Sequence, residues 1–197
     1  MKLEVFHNGE NIATIPNSLT LSRFILATIA SILIANEGTS MFTSGLLIGA
    51  AATDGLDGYI ARKLHQVTEF GKKLDPAVDA LSIQAILSAL AYNSPDMQEK
   101  LLYIASVGIN SGYILQLFAR WEGLSESIKK KLGASKIGKV KTATYLTSLG
   151  ILAGIPENQE WANTLKTLAE GGIFSGTLMT LGCWYDYNKK ANKLLGE

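Results

Sequence analysis

Four aspartates set the chemistry this chain can do. Asp54 and Asp57 stand at i and i+3, and Asp75 and Asp79 at i and i+4, so on helices each pair shares one face. A short turn around residues 64 to 71 would make the two helices antiparallel neighbours and let the four carboxylates converge on one point. Carboxylates that close repel one another and raise each other's pKa unless a cation neutralises them. Oxygen-only ligation suits Mg²⁺, Mn²⁺ or Ca²⁺, and four carboxylates can hold two divalent ions. Magnesium tends to bind a few carboxylates together with substrate phosphates, so the ligand set implies a phosphate-bearing substrate. Gly55, Gly58 and Ala61 recur at i, i+3 and i+6 beside the aspartates. Such a strip serves close helix packing or lets a diphosphate approach the backbone. Arg62, two turns beyond Asp54, could clamp that diphosphate in a bidentate fashion or snorkel from the helix end.

The elements that must position these groups emerge from the charge pattern. Six stretches lack Asp, Glu, Lys and Arg: 24–36, 38–53, 80–95, 101–119, 142–156 and 171–185. Only the fourth, 19 residues long, reaches the length of a membrane-crossing helix unaided. The charges between them are more informative. If all six cross a bilayer, one side collects Lys2, Arg23, Arg62, Lys63, Lys72, Lys73, Arg120, Lys129, Lys130, Lys131, Lys136, Lys139, Lys141, Lys189, Lys190 and Lys193. The other side receives only Lys100 and Lys166, with Glu37, Asp96, Glu99, Glu157, Glu160 and Glu170. A soluble bundle has no reason to sort charge by loop parity, whereas the positive-inside rule demands it, with both termini cytoplasmic. Trp121, Trp184 and Tyr185 at inner ends, and Tyr92, Tyr103 and Trp161 near outer ones, resemble aromatic belts. Snorkelling residues such as Arg23 would extend the short spans. The expected fold is all-α: a six-transmembrane-helix bundle over residues 17–190, an interfacial segment 1–16 and a tail 191–197.

The leading segment reads differently. Leu3, Val5, Ile12 and Ile15 flank Asn8-Gly9, a strong hairpin signal, and no apolar core of a signal peptide precedes Pro16-Asn17-Ser18. Asn17 or Ser18 is the expected N-cap of the first helix. Across the 197 residues, 18 Lys plus Arg against 17 Asp plus Glu leave a net charge of +1, which argues against a nucleic-acid partner. The one cysteine, Cys183, excludes a disulfide framework and a cysteine zinc cluster and reads as an apolar filler. His7 and His65 carry no ligand pattern. Gly-x-x-x-Gly spacing at Gly45 and Gly49, Gly150 and Gly154, and Gly172 and Gly176 indicates helix packing, including a homodimer face.

Asp54, Asp57, Gly58, Ala61, Arg62, Gly71, Asp75 and Asp79 meet every position of the pattern Asp-x2-Asp-Gly-x2-Ala-Arg-x8-Gly-x3-Asp-x3-Asp. This resembles the signature of the CDP-alcohol phosphotransferases, membrane enzymes of phospholipid synthesis with six helices. The resemblance implies transfer of the phosphatidyl group of CDP-diacylglycerol to an alcohol, with release of CMP. It makes Asp54, Asp57, Asp75 and Asp79 ligands of two Mg²⁺ or Mn²⁺ ions, and Asp79 also the base for the acceptor hydroxyl. It places Gly58, Arg62 and Thr68 against the CDP part and Asn17 near the nucleotide, with the site on the cytoplasmic side of the cell membrane.

Ile15-Pro-Asn-Ser-Leu-Thr-Leu-Ser-Arg23 and Ile137-Gly-Lys-Val-Lys-Thr142 further resemble the bacterial phosphatidylglycerophosphate synthases, whose acceptor is sn-glycerol 3-phosphate. Lys139 and Lys141 could clamp an anionic acceptor or serve membrane anchoring. The chain departs from glycerol-phosphate-using relatives at Asn110-Ser111-Gly112, where those have Ala-Arg and an acidic residue, and at Tyr145, where relatives often place Gln. An inositol phosphate, serine or another alcohol is the alternative acceptor. Two more distant readings are a cation transporter, which predicts ion flux, and an aspartate-rich prenyltransferase, whose aspartate motifs lie farther apart.

Overall fold

The computed structural model describes residues 6–7, 10–11, 13–63, 68–122, 136–155 and 161–195. Within these, its account does not extend to the side chains of 6–7, 10–11, 52–62, 69, 72–73, 117–122, 136, 139 and 194–195. Six helices are described: α1 Ile15–Glu37, α2 Met41–Lys63, α3 Glu69–Asn93, α4 Met97–Glu122, α5 Lys136–Gly154 and α6 Ala162–Leu195. Each charge-free stretch centres on one of them. Before them, β1 (Phe6–His7) and β2 (Glu10–Asn11) pair antiparallel around Asn8-Gly9, with His7 opposite Glu10.

The helix boundaries follow local chemistry. Thr14, not Asn17 or Ser18, caps α1: its extended backbone lets Oγ1 accept from the Asn17 amide at 3.3 Å, and Pro16 falls in the first turn, where its missing N–H costs nothing. Ile15 is therefore helical and does not belong to the hairpin. Gly38 closes α1 with φ of +82°, the left-handed half of the map that glycine tolerates. Thr68 caps α3 by accepting from the Gly71 amide at 2.9 Å. Pro76, which lies between Asp75 and Asp79 in α3, has no N–H to donate to the carbonyl four residues earlier, at Lys72. The segment expected as a tail is helical as far as Leu195.

Packing contacts run from α1 to α3, α4, α6, α5, α2 and back to α1, closing a ring, with α3 and α5 also touching across it. Among the described residues α2 and α3 are thus joined chiefly through α1, which packs on both, rather than lying flush as the short connection suggested. Ala30, Ile34, Leu47, Ile83, Ile86, Leu87, Leu149 and Ile173 form the shared apolar core. Tyr103, expected at an outer belt, belongs to that core at 2% exposure, while Tyr92, Trp161 and Tyr185 are exposed.

The polarity of the ring is unusual for a bundle in water. Buried side chains include Thr20, Arg23, Ser106, Asn110, Lys141, Thr177 and Thr180, whereas Ile25, Ile32, Ile48, Leu81, Ile104, Leu115, Val140, Phe174 and Leu178 are exposed. Two described segments, Ile15–Glu37 and Leu74–Asn93, are long and apolar enough to cross a membrane, and Met41–Ala51 is a shorter apolar helix.

Candidate active site

Helical rise puts the backbone of Asp57 and of Asp75 at matching distances from the facing ends of their helices. Asp57 lies six residues before the end of α2 and Asp75 six residues after the start of α3, so each stands about 9 Å from the connection between them. Asp54, Asp57, Gly58 and Arg62 occupy the last three turns of α2, and their side chains lie outside the described ones. Asp75 and Asp79 are described, and both turn towards α1. Thr20 donates to Asp75 Oδ1 at 2.8 Å, and Arg23 forms an ion pair through Nη1 with Asp79 Oδ1.

Arg23 does not snorkel. It is 1% exposed, and its charge sits inside the ring beside Asp79. Asn17, Thr20 and Arg23 recur at i, i+3 and i+6, a polar stripe on an otherwise apolar helix, and all three are buried. That stripe was the readable sign that α1 faces the carboxylates, a role the aspartate spacing alone did not assign. Asn17 packs against Gly71: a Cβ at residue 71 would stand 2.6 Å from Asn17 Oδ1 and 3.0 Å from Thr68 Oγ1. The glycine of the signature thus admits α1 to the start of α3, and Thr68 is placed there as a cap.

Across the ring, Lys141 enters from α5. It is 6% exposed, with Nζ 4.6 Å from the centre of the Tyr113 ring on α4. Among the described residues no carboxylate lies within ion-pair distance of it. A cation withdrawn from water and covered by a ring is a costly arrangement without an anion to face. The side chain of Lys139 lies outside the described ones.

The two departures read in the sequence prove to be partners. Asn110 Nδ2 donates to the Tyr145 hydroxyl at 2.8 Å, and that hydroxyl bonds Thr177 Oγ1 at 2.8 Å. Ser111, by contrast, points sideways to accept from Gln84 on α3. Gly172 and Gly176 serve packing within the chain, not a dimer face, because Cβ atoms there would meet Ser148 and the Tyr145 ring. Gly154 likewise faces Ser44 on α2, whereas Gly45 and Gly49 have no neighbour within 4 Å.

Donor chemistry fits a divalent cation. Asp75 and Asp79 offer hard carboxylate oxygens one turn apart, Thr20 and Arg23 hold one oxygen of each, and Asp54 and Asp57 hold the helical spacing that shares a face. Among the described residues, however, no group of three such ligands assembles, since only two of the four carboxylates are described.

Comparison with known proteins places the chain. It is 28% identical to the CDP-diacylglycerol--glycerol-3-phosphate 3-phosphatidyltransferase of Aquifex aeolicus, over 92% of this chain and 97% of that one. The Rickettsia felis protein of the same name is 34% identical, over 91% and 96%. A cardiolipin synthase (CMP-forming) of Oryza sativa is 33% identical over 71% of this chain and 45% of its own length, so the chain spans about half the length of some curated relatives it matches. The sequence profile described as CDP-alcohol phosphatidyltransferase matches residues 13–180, a span that takes in the α1 stripe, the four aspartates, Lys141 and Tyr145. The chain belongs to the CDP-alcohol phosphatidyltransferase family.

Proposed function

We propose that this chain is an integral-membrane phosphatidyltransferase that moves the phosphatidyl group of CDP-diacylglycerol to sn-glycerol 3-phosphate, giving phosphatidylglycerophosphate and CMP. The observation that carries the acceptor is Lys141, a cation buried at 6% exposure with its Nζ 4.6 Å from the centre of the Tyr113 ring. A net-anionic acceptor would supply the counter-charge that no carboxylate among the described residues gives Lys141 at ion-pair distance, whereas serine, a zwitterion, brings no net negative charge. The names of the bacterial relatives, aligned over nearly their full length, support the same acceptor.

In this reading Asp54, Asp57, Asp75 and Asp79 hold two divalent ions, Mg²⁺ or Mn²⁺, which when bound polarise the diphosphate and stabilise CMP as it leaves. The acceptor hydroxyl oxygen forms a new bond to the phosphatidyl phosphorus while the diphosphate bridge breaks. Asp79 takes the hydroxyl proton, a role open to a carboxylate only within hydrogen-bond reach of that hydroxyl. Arg62 and the glycine strip seat the diphosphate, Asn17 and Thr68 line the nucleotide end, and Lys139 joins Lys141 at the acceptor phosphate. All six helices cross the bilayer, with both termini and the site on the cytoplasmic face. The apolar exterior and polar interior of the ring support this, as does the sorting of basic residues.

The test is release of CMP by purified protein given CDP-diacylglycerol and each of glycerol 3-phosphate, an inositol phosphate and serine. Turnover requires glycerol 3-phosphate and Mg²⁺ or Mn²⁺, stops with chelator and returns with added metal. CMP release driven by serine alone would overturn the acceptor, and absence of release with every alcohol would overturn the reaction.

A further inference from the structure

Beneath Lys141 the ring contains a cluster of uncharged polar groups that the transfer reaction does not use. Tyr145 is one turn along α5 from Lys141, about 6 Å by helical rise, and so lies on the same face. It has no exposed surface. Its hydroxyl accepts from Asn110 on α4 and bonds Thr177 on α6, each at 2.8 Å. Thr177 in turn meets Ser106 Oγ at 2.8 Å, and Thr180 donates to Asn110 Oδ1 at 3.3 Å. The Tyr145 ring rests on the bare backbone at Gly176, where a Cβ would come within 3.0 Å of its carbons. The ring is therefore enclosed, and the hydroxyl cannot swing away from α4 and α6.

We propose that Tyr145 is a positioning residue for the acceptor, a peg whose hydroxyl sets the rotation and depth of α5 and thereby aims the Lys141 ammonium at the acceptor phosphate. At its far end α5 is tied to α2, where Ser44 Oγ donates to the Gly150 carbonyl at 2.8 Å. At its middle, through Tyr145, it is hydrogen-bonded to two further helices at once. A rotation of α5 would carry Lys141 with it, away from the Tyr113 ring. The inference rests on the assignment of Lys141 to the acceptor phosphate.

Removing the hydroxyl should spare the fold. In Tyr145→Phe the ring keeps its seat, the Asn110 amide still donates to the Ser106 carbonyl at 2.8 Å, and Thr177 still donates to the Ile173 carbonyl at 2.8 Å. One Asn110 amide hydrogen loses its Tyr145 acceptor while the other keeps the Ser106 carbonyl, so thermal stability is measured beside KM to separate that cost from the effect of the lost hydrogen bonds on helix placement.

The experiment measures KM for glycerol 3-phosphate and for CDP-diacylglycerol in the full-length protein, for Tyr145→Phe, Thr177→Val, Lys141→Met and Tyr145→Phe/Lys141→Met. Tyr145→Phe raises the acceptor KM by about threefold to tenfold, the worth of one or two neutral hydrogen bonds, and leaves the donor KM unchanged. Thr177→Val, which removes the other anchor, shifts the acceptor KM in the same direction. In the Lys141→Met background the Tyr145 change adds nothing, because its effect runs through that lysine. An independent, multiplicative loss in the double variant, an equal rise in both KM values, or an unchanged acceptor KM in both single anchors overturns the proposal. If Lys141→Met itself leaves the acceptor KM unmoved, the acceptor assignment fails and this inference with it. If Lys141→Met raises it while the two anchors do not, only the positioning role fails.

Discussion

The ion pair between Arg23 and Asp79 is the strongest residue-scale constraint on the site. Arg23 is 1% exposed and the Asp79 side chain is 20% exposed, so solvent screens the pair weakly. Taking away one partner of such a pair leaves a charge in an apolar ring, at a cost of up to about 3 kcal/mol. Arg23→Met is therefore expected to lower stability and abolish transfer, and Arg23→Met/Asp79→Asn to recover much of the stability but none of the activity. Thermal unfolding in detergent beside CMP release reads both, and a double variant less stable than either single one would refute the pairing. Asp75→Asn should abolish transfer at near-normal stability, and Asp79→Asn should abolish it while lowering stability, because it leaves the Arg23 charge without its partner carboxylate. The aspartates were legible because four carboxylates at helical spacing in an apolar chain have few other uses. Arg23 was misread because an arginine near a helix end has two low-cost fates, snorkelling or pairing inward. Only the direction of the α1 face, set by Asn17 and Thr20 on the same stripe, distinguishes them.

At the level of helices, close approach depends on a few glycines. Gly71 lets Asn17 pack at the start of α3 while its amide completes the Thr68 cap, and a methyl group there meets Asn17 Oδ1 at 2.6 Å. Gly71→Ala should push α1 off α3 and displace Thr20 and Arg23 from the carboxylates. Overpacking of this kind costs about 1 to 3 kcal/mol, and here transfer should fall further than stability does. Gly176→Ala presses on the enclosed Tyr145 ring at 3.0 Å and should cost a similar amount, while Gly49→Ala, with nothing within 4 Å, should be near neutral. A melt series over the three variants checks the ranking, and a Gly71→Ala protein with normal turnover would remove the α1 to α3 contact from the site. The six helices were legible from charge-free stretches, because each helix needs an interior that tolerates few charges. Their adjacency was less so: a short connection between α2 and α3 limits the distance between their ends but leaves their angle open, and among the described residues it is α1 that packs on both. The cap moved to Thr14 because Pro16 is accepted within a first turn, which composition around Pro16-Asn17-Ser18 did not reveal.

Among the described residues the ring buries hydrogen-bonding groups beside its apolar core and leaves many further large aliphatic side chains exposed, the arrangement expected when the surroundings are lipid. α6 provides the most direct test of that arrangement, being 34 residues long, about 51 Å by helical rise, against a hydrocarbon core of about 30 Å. Asn163 and Lys190 are both exposed on this one helix, 27 residues and so about 40 Å apart. At the end near Asn163, Lys166 pairs with Glu99 at 2.5 Å and ties α6 to the start of α4. At the other, Lys190 reaches Asp186 at 3.2 Å close to a run of lysines. With Cys183→Ala removing the single native thiol, a cysteine at Asn163 should react with an impermeant reagent added outside intact cells, and one at Lys190 only after the membrane is opened. Labelling of both from outside would exclude a crossing by α6, and the reverse pattern would invert the bundle. Inversion would also carry Asp75, Asp79 and Lys141 to the face opposite the cytoplasm, away from the water-soluble acceptor that the buried lysine is proposed to bind.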